Sequence, residues 1–239
     1  MKLKRLIIIS VSVAFLIIGL LIIFAYSKTW GKTDIEIKIH INEKLVQESA
    51  FGESPTFAIW LENPKTHKIK TVFVTQRAAE NDWEGKAEVP VALPLWFYIN
   101  NKKQAIAKSE GDPDRIIVSG ATPKPGYFVT SVSIEKNSEW ILWIEVNLAG
   151  DFNHHFMEFN KELNIADEYS TGQPAIIYKA EISAIKGRAI VMEIAGMTEP
   201  DSHLKNIIKP LKGITTATDI FDEISVRVVK SKPRIINKK

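Results

Sequence analysis

The run DIEIKIHI, residues 34–41, alternates without a break. Ile35, Ile37, Ile39 and Ile41 fall on one side; Asp34, Glu36, Lys38 and His40 fall on the other. A period of two built from β-branched residues marks a half-buried strand, because successive side chains of an extended chain point to opposite faces. Downstream, TFAIWLE (56–62) and IKTVFVTQ (69–76) are strand-like and flank a loop holding Asn63 and Pro64, the composition of a hairpin with several loop residues. YFVTSVSI (127–134) and EWILWIEVNL (139–148) are two more strands, joined by the turn-like EKNS. AIIYKAEISAI (175–185) and RAIVMEIAGM (188–197) flank Lys186 and Gly187, a short hairpin signal, and DEISVRVV (222–229) alternates again as a last strand.

About eight or nine strands separated by turn signals give a mainly β chain folded as an antiparallel β-sandwich. No βα alternation and no repeat period is visible. Between Arg77 and Glu110 the pattern breaks at Pro90, Pro94 and the polar run NNKKQ; Trp83, Trp96, Phe97 and Tyr98 are assigned to the interior there, with a short helix or irregular loops. The stretch 150–173 is polar and loop-like. DSHLKNIIKPLKG (201–213) is the best helix candidate of the domain, with Asp201 or Ser202 as cap and Pro210 near its end, so a short helix is expected near 201–211. Trp140 and Trp143 have opposite parity, so an undistorted strand sends them to opposite faces.

The N-terminus is of a different kind. Leu6 to Tyr26 is apolar and uncharged, interrupted only by Ser10, Ser12 and Gly19. About 20 such residues at a rise of about 1.5 Å cross a hydrocarbon core of about 30 Å, and in lipid only a helix satisfies its own backbone. Lys2, Lys4 and Arg5 precede the segment and are expected to stay cytoplasmic; Lys28 and Lys32 follow it, and Tyr26 and Trp30 suit the far interface. The rival reading is a cleaved signal peptide, with Ala25 and Ser27 as a small-residue pair, but an apolar region of about 7–15 residues is usual for such signals and this one is longer. Both readings deliver residues 33–239 to the same side. The expected plan is a cytoplasmic tip (1–5), a single-pass membrane anchor (6–26), a linker (27–33), a periplasmic or extracellular sandwich (34–230) and a basic tail (231–239).

Composition narrows the function. The 239 residues carry a net charge of +3 with Lys and Arg scattered rather than striped, so nucleic acid is not expected as a partner. The absence of cysteine removes disulfides, thiolate metal sites, haem attachment and cysteine nucleophiles together. No nucleophile elbow, P-loop, dinucleotide fingerprint or zinc-protease motif occurs. Trp60, Phe73, Trp96, Trp140 and Trp143 would fill a sandwich core or line a ligand groove.

Two constellations carry possible chemistry. Ser119-Gly120-Ala121-Thr122 resembles the acceptor sequence of covalently flavinylated extracytoplasmic proteins, in which a threonine hydroxyl takes FMN through a phosphoester; the resemblance makes Thr122 a cofactor-binding residue and FMN the cofactor. That pattern has an Asp six residues before the threonine, where this chain has Ile116; Asp112 and Asp114 are the nearest acids. The competing reading is a tight turn, Gly120 allowing positive φ and Lys124-Pro125-Gly126 favouring a type II turn. Asp151, Asn153, His155 and Glu158, with His154, are the densest set of oxygen and imidazole ligands and would hold a divalent metal if gathered; the competing reading is a solvated polar loop, since adjacent histidines point apart and no calcium-loop pattern is present. His40, His67 and His203 are isolated.

The order of these motifs resembles a family of bacterial periplasmic proteins known as domain of unknown function 2271, over residues 34–197. Its features are matched by Ile59-Trp60-Leu61-Glu62, by Lys70-Thr71-Val72 after a hairpin loop, by Trp83 and Trp96, by Ser119 to Thr122 with Pro125-Gly126, and by Trp143-Ile144-Glu145. Segment 198–239 has no counterpart, and members usually carry a cleaved signal. The resemblance implies an immunoglobulin- or fibronectin-like sandwich and a link to extracytoplasmic flavin-transfer and PepSY-type membrane systems. The expected function is a membrane-anchored binding or structural module of the cell envelope with an unidentified protein partner. The alternatives are an electron-transfer component flavinylated at Thr122 and a metal-dependent enzyme using the 151–158 loop.

Overall fold

The computed structural model describes residues 2–80, 89–101, 119–185, 187, 189–200 and 205–233. Helix α1 (Lys2–Ser27) turns directly into strand β1 (Lys32–Ile41), followed by α2 (Glu43–Glu48) and the hairpin β2 (Thr56–Glu62) and β3 (Ile69–Thr75). Three short helices come next: α3 (Gln76–Glu80), α4 (Val89–Ala92) and α5 (94–101). The remainder is β4 (Ser119–Gly120), β5 (Gly126–Glu135), β6 (Glu139–Asn147), β7 (Phe159–Asn160), β8 (Ile165–Ala166), β9 (Ile176–Ser183), β10 (Ala189–Ile190), β11 (Glu193–Thr198), β12 (Ile207–Ile208) and β13 (Phe221–Lys230).

Sheet A has the order β10-β13-β1-β5 and sheet B the order β12-β11-β9-β6-β2-β3-β4, while β7 and β8 form a separate hairpin. The pairings are antiparallel except β3 with β4. The two large sheets pack face to face. Ile35, Ile37, Ile39 and Ile41 of β1 are fully buried against Phe57, Ile59 and Leu61 of β2 and Leu142, Ile144 and Val146 of β6, in one continuous core. Burying each isoleucine is worth about 1.5–3 kcal/mol, which is why the alternation at 34–41 fixes the register of the whole sheet. The mainly β, antiparallel reading of the sequence therefore holds.

The β2–β3 hairpin turns where the sequence placed it. The Asn63 side chain accepts hydrogen bonds from the Lys65 and Thr66 amides, and Asn63 and Lys68 close the loop through their backbones. A register shift at Ile59/Trp60 bulges the hairpin. Trp140 and Trp143 do part company: Trp140 packs on the inter-sheet core, Trp143 on a second cluster outside sheet B.

Several expectations are corrected. Residues 205–211 are not helical; Ile207–Ile208 extends sheet B by pairing with Met197 and Thr198, because the open edge of β11 offers backbone partners and Ile208 packs on the core; residues 201–204 lie outside the described residues. The segment 188–197 is not one strand of a hairpin with 175–185: β10 joins β13 in sheet A, and only β11 returns to β9. The linker is shorter than expected, since β1 already starts at Lys32. Ser231 is not frayed, because its hydroxyl donates to Asp34 at 2.7 Å; residues 234–239 lie outside the described residues. Of the aromatics assigned to the interior, Trp96 is buried but Tyr98 is exposed, and Trp83 lies outside the described residues.

Helix α1 contains Ile9–Ser27, 19 residues of mean hydropathy 2.7, and is long and apolar enough to cross a membrane. From Ile9 to Tyr26 its large apolar side chains are exposed, Phe15, Leu16 and Ile23 among the most so. It enters at one end of β1. The turns 63–68 and 135–138 and the end of β13 gather at this near end, as the pairings Lys32↔Glu135 and Thr33↔Lys230 show. The opposite end, about 30 Å away along a ten-residue strand, carries α2 and the segments 148–175 and 205–220.

Candidate functional site

The far end is organised by a buried carboxylate. Asp151 follows the last turn of the β6 exit and is almost fully buried. Its Oδ1 accepts from the Thr216 hydroxyl at 2.8 Å and its Oδ2 from the Gln173 amide at 2.8 Å. Gln173 Oε1 in turn accepts from the Thr215 amide at 2.7 Å, and Asn147 donates to the Thr171 and Gln173 carbonyls. Burial pushes the Asp151 carboxyl above its usual range, opposed by the donors Thr216 and Gln173. Gly172 completes the knot. It bridges Asp151 with φ +68°, and a Cβ there would meet the Asp151 carbonyl oxygen at 2.7 Å, so only glycine fits.

The four metal candidates do not converge. Asp151 is committed to Gln173 and Thr216. Asn153 Oδ1 caps its own turn through the His155 and Phe156 amides, while its Nδ2 donates to the Gly213 carbonyl and the Thr215 hydroxyl. His155 and Glu158 are exposed. Among the described residues no three His, Asp or Glu side chains gather as metal ligands. This loop is instead a clasp that ties 148–173 to 213–216.

From the clasp projects the hairpin β7–β8, which the sequence reading took as polar loop. It exposes Met157, Phe159, Leu163 and Ile165, with Leu163 66% accessible. Asn160 caps the turn through the Glu162 and Leu163 amides, and Asn164 takes φ +54°. The available signal was alternation: apolar residues at 157 and 159, and again at 163 and 165, around a turn rich in Asn.

Thr122 lies in the irregular stretch 121–124, half-buried, at the far end beside the start of β5; its hydroxyl has no hydrogen-bond partner among the described residues. Gly126 takes φ +105°, a conformation that favours glycine, but it already opens β5 opposite Ile41, and residues 121–125 end in a bend rather than the expected turn. Asp112 and Asp114 lie outside the described residues.

A second buried carboxylate was missed as such. On the outer face of sheet B, Trp60 and Trp143 stack with centroids 6.3 Å apart and planes 13° off parallel, and Trp96 lies 6.0 Å from Trp60. Leu93 and Ala78 complete the cluster, so α3–α5 form a third layer there. Glu145 of β6 points into the same face and is fully buried, accepting hydrogen bonds from the Leu95 amide at 3.0 Å and the Trp96 amide at 2.6 Å. It caps the N-terminus of α5 from another element, supplying the acceptor that the first turn of a helix lacks. Burial pushes its carboxyl up to about 8 against the pull of those two amides. Glu62 accepts from the Trp143 indole at 3.0 Å. The motifs around Trp60 and around Trp143 are thus neighbours, with Trp60 paired to Trp143 and Ala58 to Glu145. Another buried titratable group, Tyr178, donates to the Thr218 carbonyl and is pushed up by burial and by the Asp219 charge.

The outer face of sheet A carries paired charges in the open. Glu36 pairs with Arg227, Lys38 with Glu223 and His40 with Asp222. Lys38 sits 3.9 Å from the Tyr127 ring centre, and Tyr127 donates to Glu223. The Lys38 and Tyr127 donors lower the Glu223 carboxyl.

Comparison with protein-family models, with curated proteins and with solved structures finds no match. The likeness to domain of unknown function 2271 rests on its motifs.

Proposed function

We propose that this chain is an envelope protein held in the membrane by α1, with the sandwich on the extracytoplasmic side presenting its far end to a protein partner. The observation that carries this reading is the opposition of the two ends. An apolar helix of membrane-spanning length leaves one end, and a hairpin exposing Met157, Phe159, Leu163 and Ile165 stands at the other. Large apolar side chains left exposed on both faces of a projecting hairpin, Phe159 on one and Ile165 on the other, support an interaction surface, and the Asp151 clasp ties the base of the hairpin to the segment 213–216. Lys2, Lys4 and Arg5 support a cytoplasmic N-terminus. The test places a photo-crosslinking residue at 163 in the full-length protein in intact cells. Adducts to an envelope protein, lost in Phe159→Asp, are expected. No adduct from 163, or robust turnover of a small substrate by the purified protein, would contradict the reading.

A second reading keeps Thr122 as an FMN acceptor, supported by a hydroxyl that has no hydrogen-bond partner among the described residues in an irregular far-end stretch. Co-expression with a flavin transferase and intact-mass measurement tests it: an FMN-sized adduct absent from Thr122→Ala is expected, and an unmodified chain ends the idea.

A further inference from the structure

The ends of the two sheets are not protected equally. Strands β10, β12 and β4, which terminate three of the four edges, are two residues long. Beside β10, strand β13 carries Asp222, Glu223, Arg227 and Lys230; beside β4, β3 is broken by the bulge. Short strands, charges and bulges are the usual guards against unwanted strand pairing. The fourth edge has none of them along most of its length. β5 runs for ten residues in unbroken register with β1, without a charge from Gly126 to Ile134 and without proline.

Its backbone direction can be read from three bonds. The Gly187 amide reaches the Val228 carbonyl from beyond β13, and the Lys136 amide reaches the Gly31 carbonyl. The Lys70 ammonium, from sheet B, reaches the Ser133 carbonyl at 2.7 Å. With the alternation of antiparallel pairs, these set Thr130 and Val132 facing β1, and Tyr127, Val129 and Ser131 facing away. Among the described residues no strand pairs with that outer side.

We infer that β5 is a docking edge, at which an extended segment of a partner protein adds to sheet A as a further strand. The side chains along the edge define that segment. It is apolar beside Tyr127 and Val129, which are 63% and 57% accessible, and small beside Ser131. It is acidic at the level of Ser133: an incoming amide displaces Lys70 from that carbonyl, and the released ammonium then faces the new strand. Main-chain bonds supply the affinity and alternate side chains the selectivity, as in other strand additions. A second copy in the same membrane fits less well, because antiparallel self-pairing would send the two α1 helices to opposite ends. The inference does not depend on what the far-end hairpin binds.

The absence of cysteine allows a direct test with single-cysteine forms of the full-length protein and a membrane-impermeant maleimide. In native membranes Val129→Cys is expected to label roughly tenfold more slowly than in purified protein, as an edge about 90% occupied requires, while exposed Val191→Cys labels alike in both. Ser131→Pro removes an outward amide without touching the β1 ladder, and Ser131→Lys adds an edge charge; each is expected to restore fast labelling at 129. Fast labelling in membranes from the start, or slow labelling that survives both substitutions, overturns strand addition. Oxidative cross-linking between two Ser131→Cys chains, a position that antiparallel self-pairing of β5 places near its two-fold axis, overturns the partner assignment in favour of a second copy.

Discussion

Sheet A turns one face to solvent, whereas sheet B is covered on both faces where α3–α5 lie over Trp60, Trp96 and Trp143. Both share the same inner core, so the difference lies outside it. The outer face of A holds its charges in exposed pairs such as Glu36–Arg227; on the outer face of B, beneath α3–α5, the Glu145 carboxylate is fully buried in apolar surroundings. Charges that keep their water contribute little and stay available to a partner, whereas a carboxylate that loses its water is held by what covers it. Sheet B reads as the structural half and sheet A as the accessible half.

The sharpest way to break this contrast is pH. The Glu145 carboxyl is raised from 4.5 to about 8 on folding, so the folded state holds the proton more tightly than the unfolded one. The stability Glu145 contributes is full below pH 4.5 and is lost as pH rises through the folded value, by at most about 5 kcal/mol. Urea midpoints followed by tryptophan fluorescence should fall across that window in the native protein and lose this slope in Glu145→Gln. A slope unchanged by the substitution would show that the carboxyl is not held neutral.

Next in size, Trp60→Ala opens a void under α5 and should destabilise by about 3–5 kcal/mol by the same measurement. Gln173→Ala leaves Asp151 without one of its donors and should lose about 1–3 kcal/mol, with faster amide exchange in 157–166 as the clasp loosens. Smallest, Arg227→Ala removes an exposed pair from sheet A and should stay within about 0.5 kcal/mol. A loss at Arg227 as large as that at Trp60 would erase the distinction between the sheets.

The same contrast explains what was legible. β1 and β13 alternate because one face meets the core and the other meets water, so periodicity reports them directly. β2 and β6 are buried on both faces; they read as strands, but what covers the second face could not be read, since α3–α5 are short and broken by Pro90 and Pro94. The opposite fates of Trp140 and Trp143 followed from parity alone. The roles of Asp151 and Glu145 did not. Their hydrogen-bond donors, Thr216 and Gln173 in one case and the Leu95 and Trp96 amides in the other, lie 22 to 65 residues away in sequence, and only the packing of loops and helices brings them together. Asp151 with its histidine neighbours looked like ligands because composition reveals which groups are present, not which are already bonded. The segment 205–211 failed as a helix because a free sheet edge outweighed a weak local preference.

The most direct test is residue-resolved amide exchange on the purified full-length protein. In β5 it should alternate, with Val129 and Ser131 exchanging fast between slow Thr130 and Val132, while in β6, paired on both sides, every interior amide is slow. Uniform protection along β5, or the same alternation in β6, would contradict the division into an open sheet and a closed one.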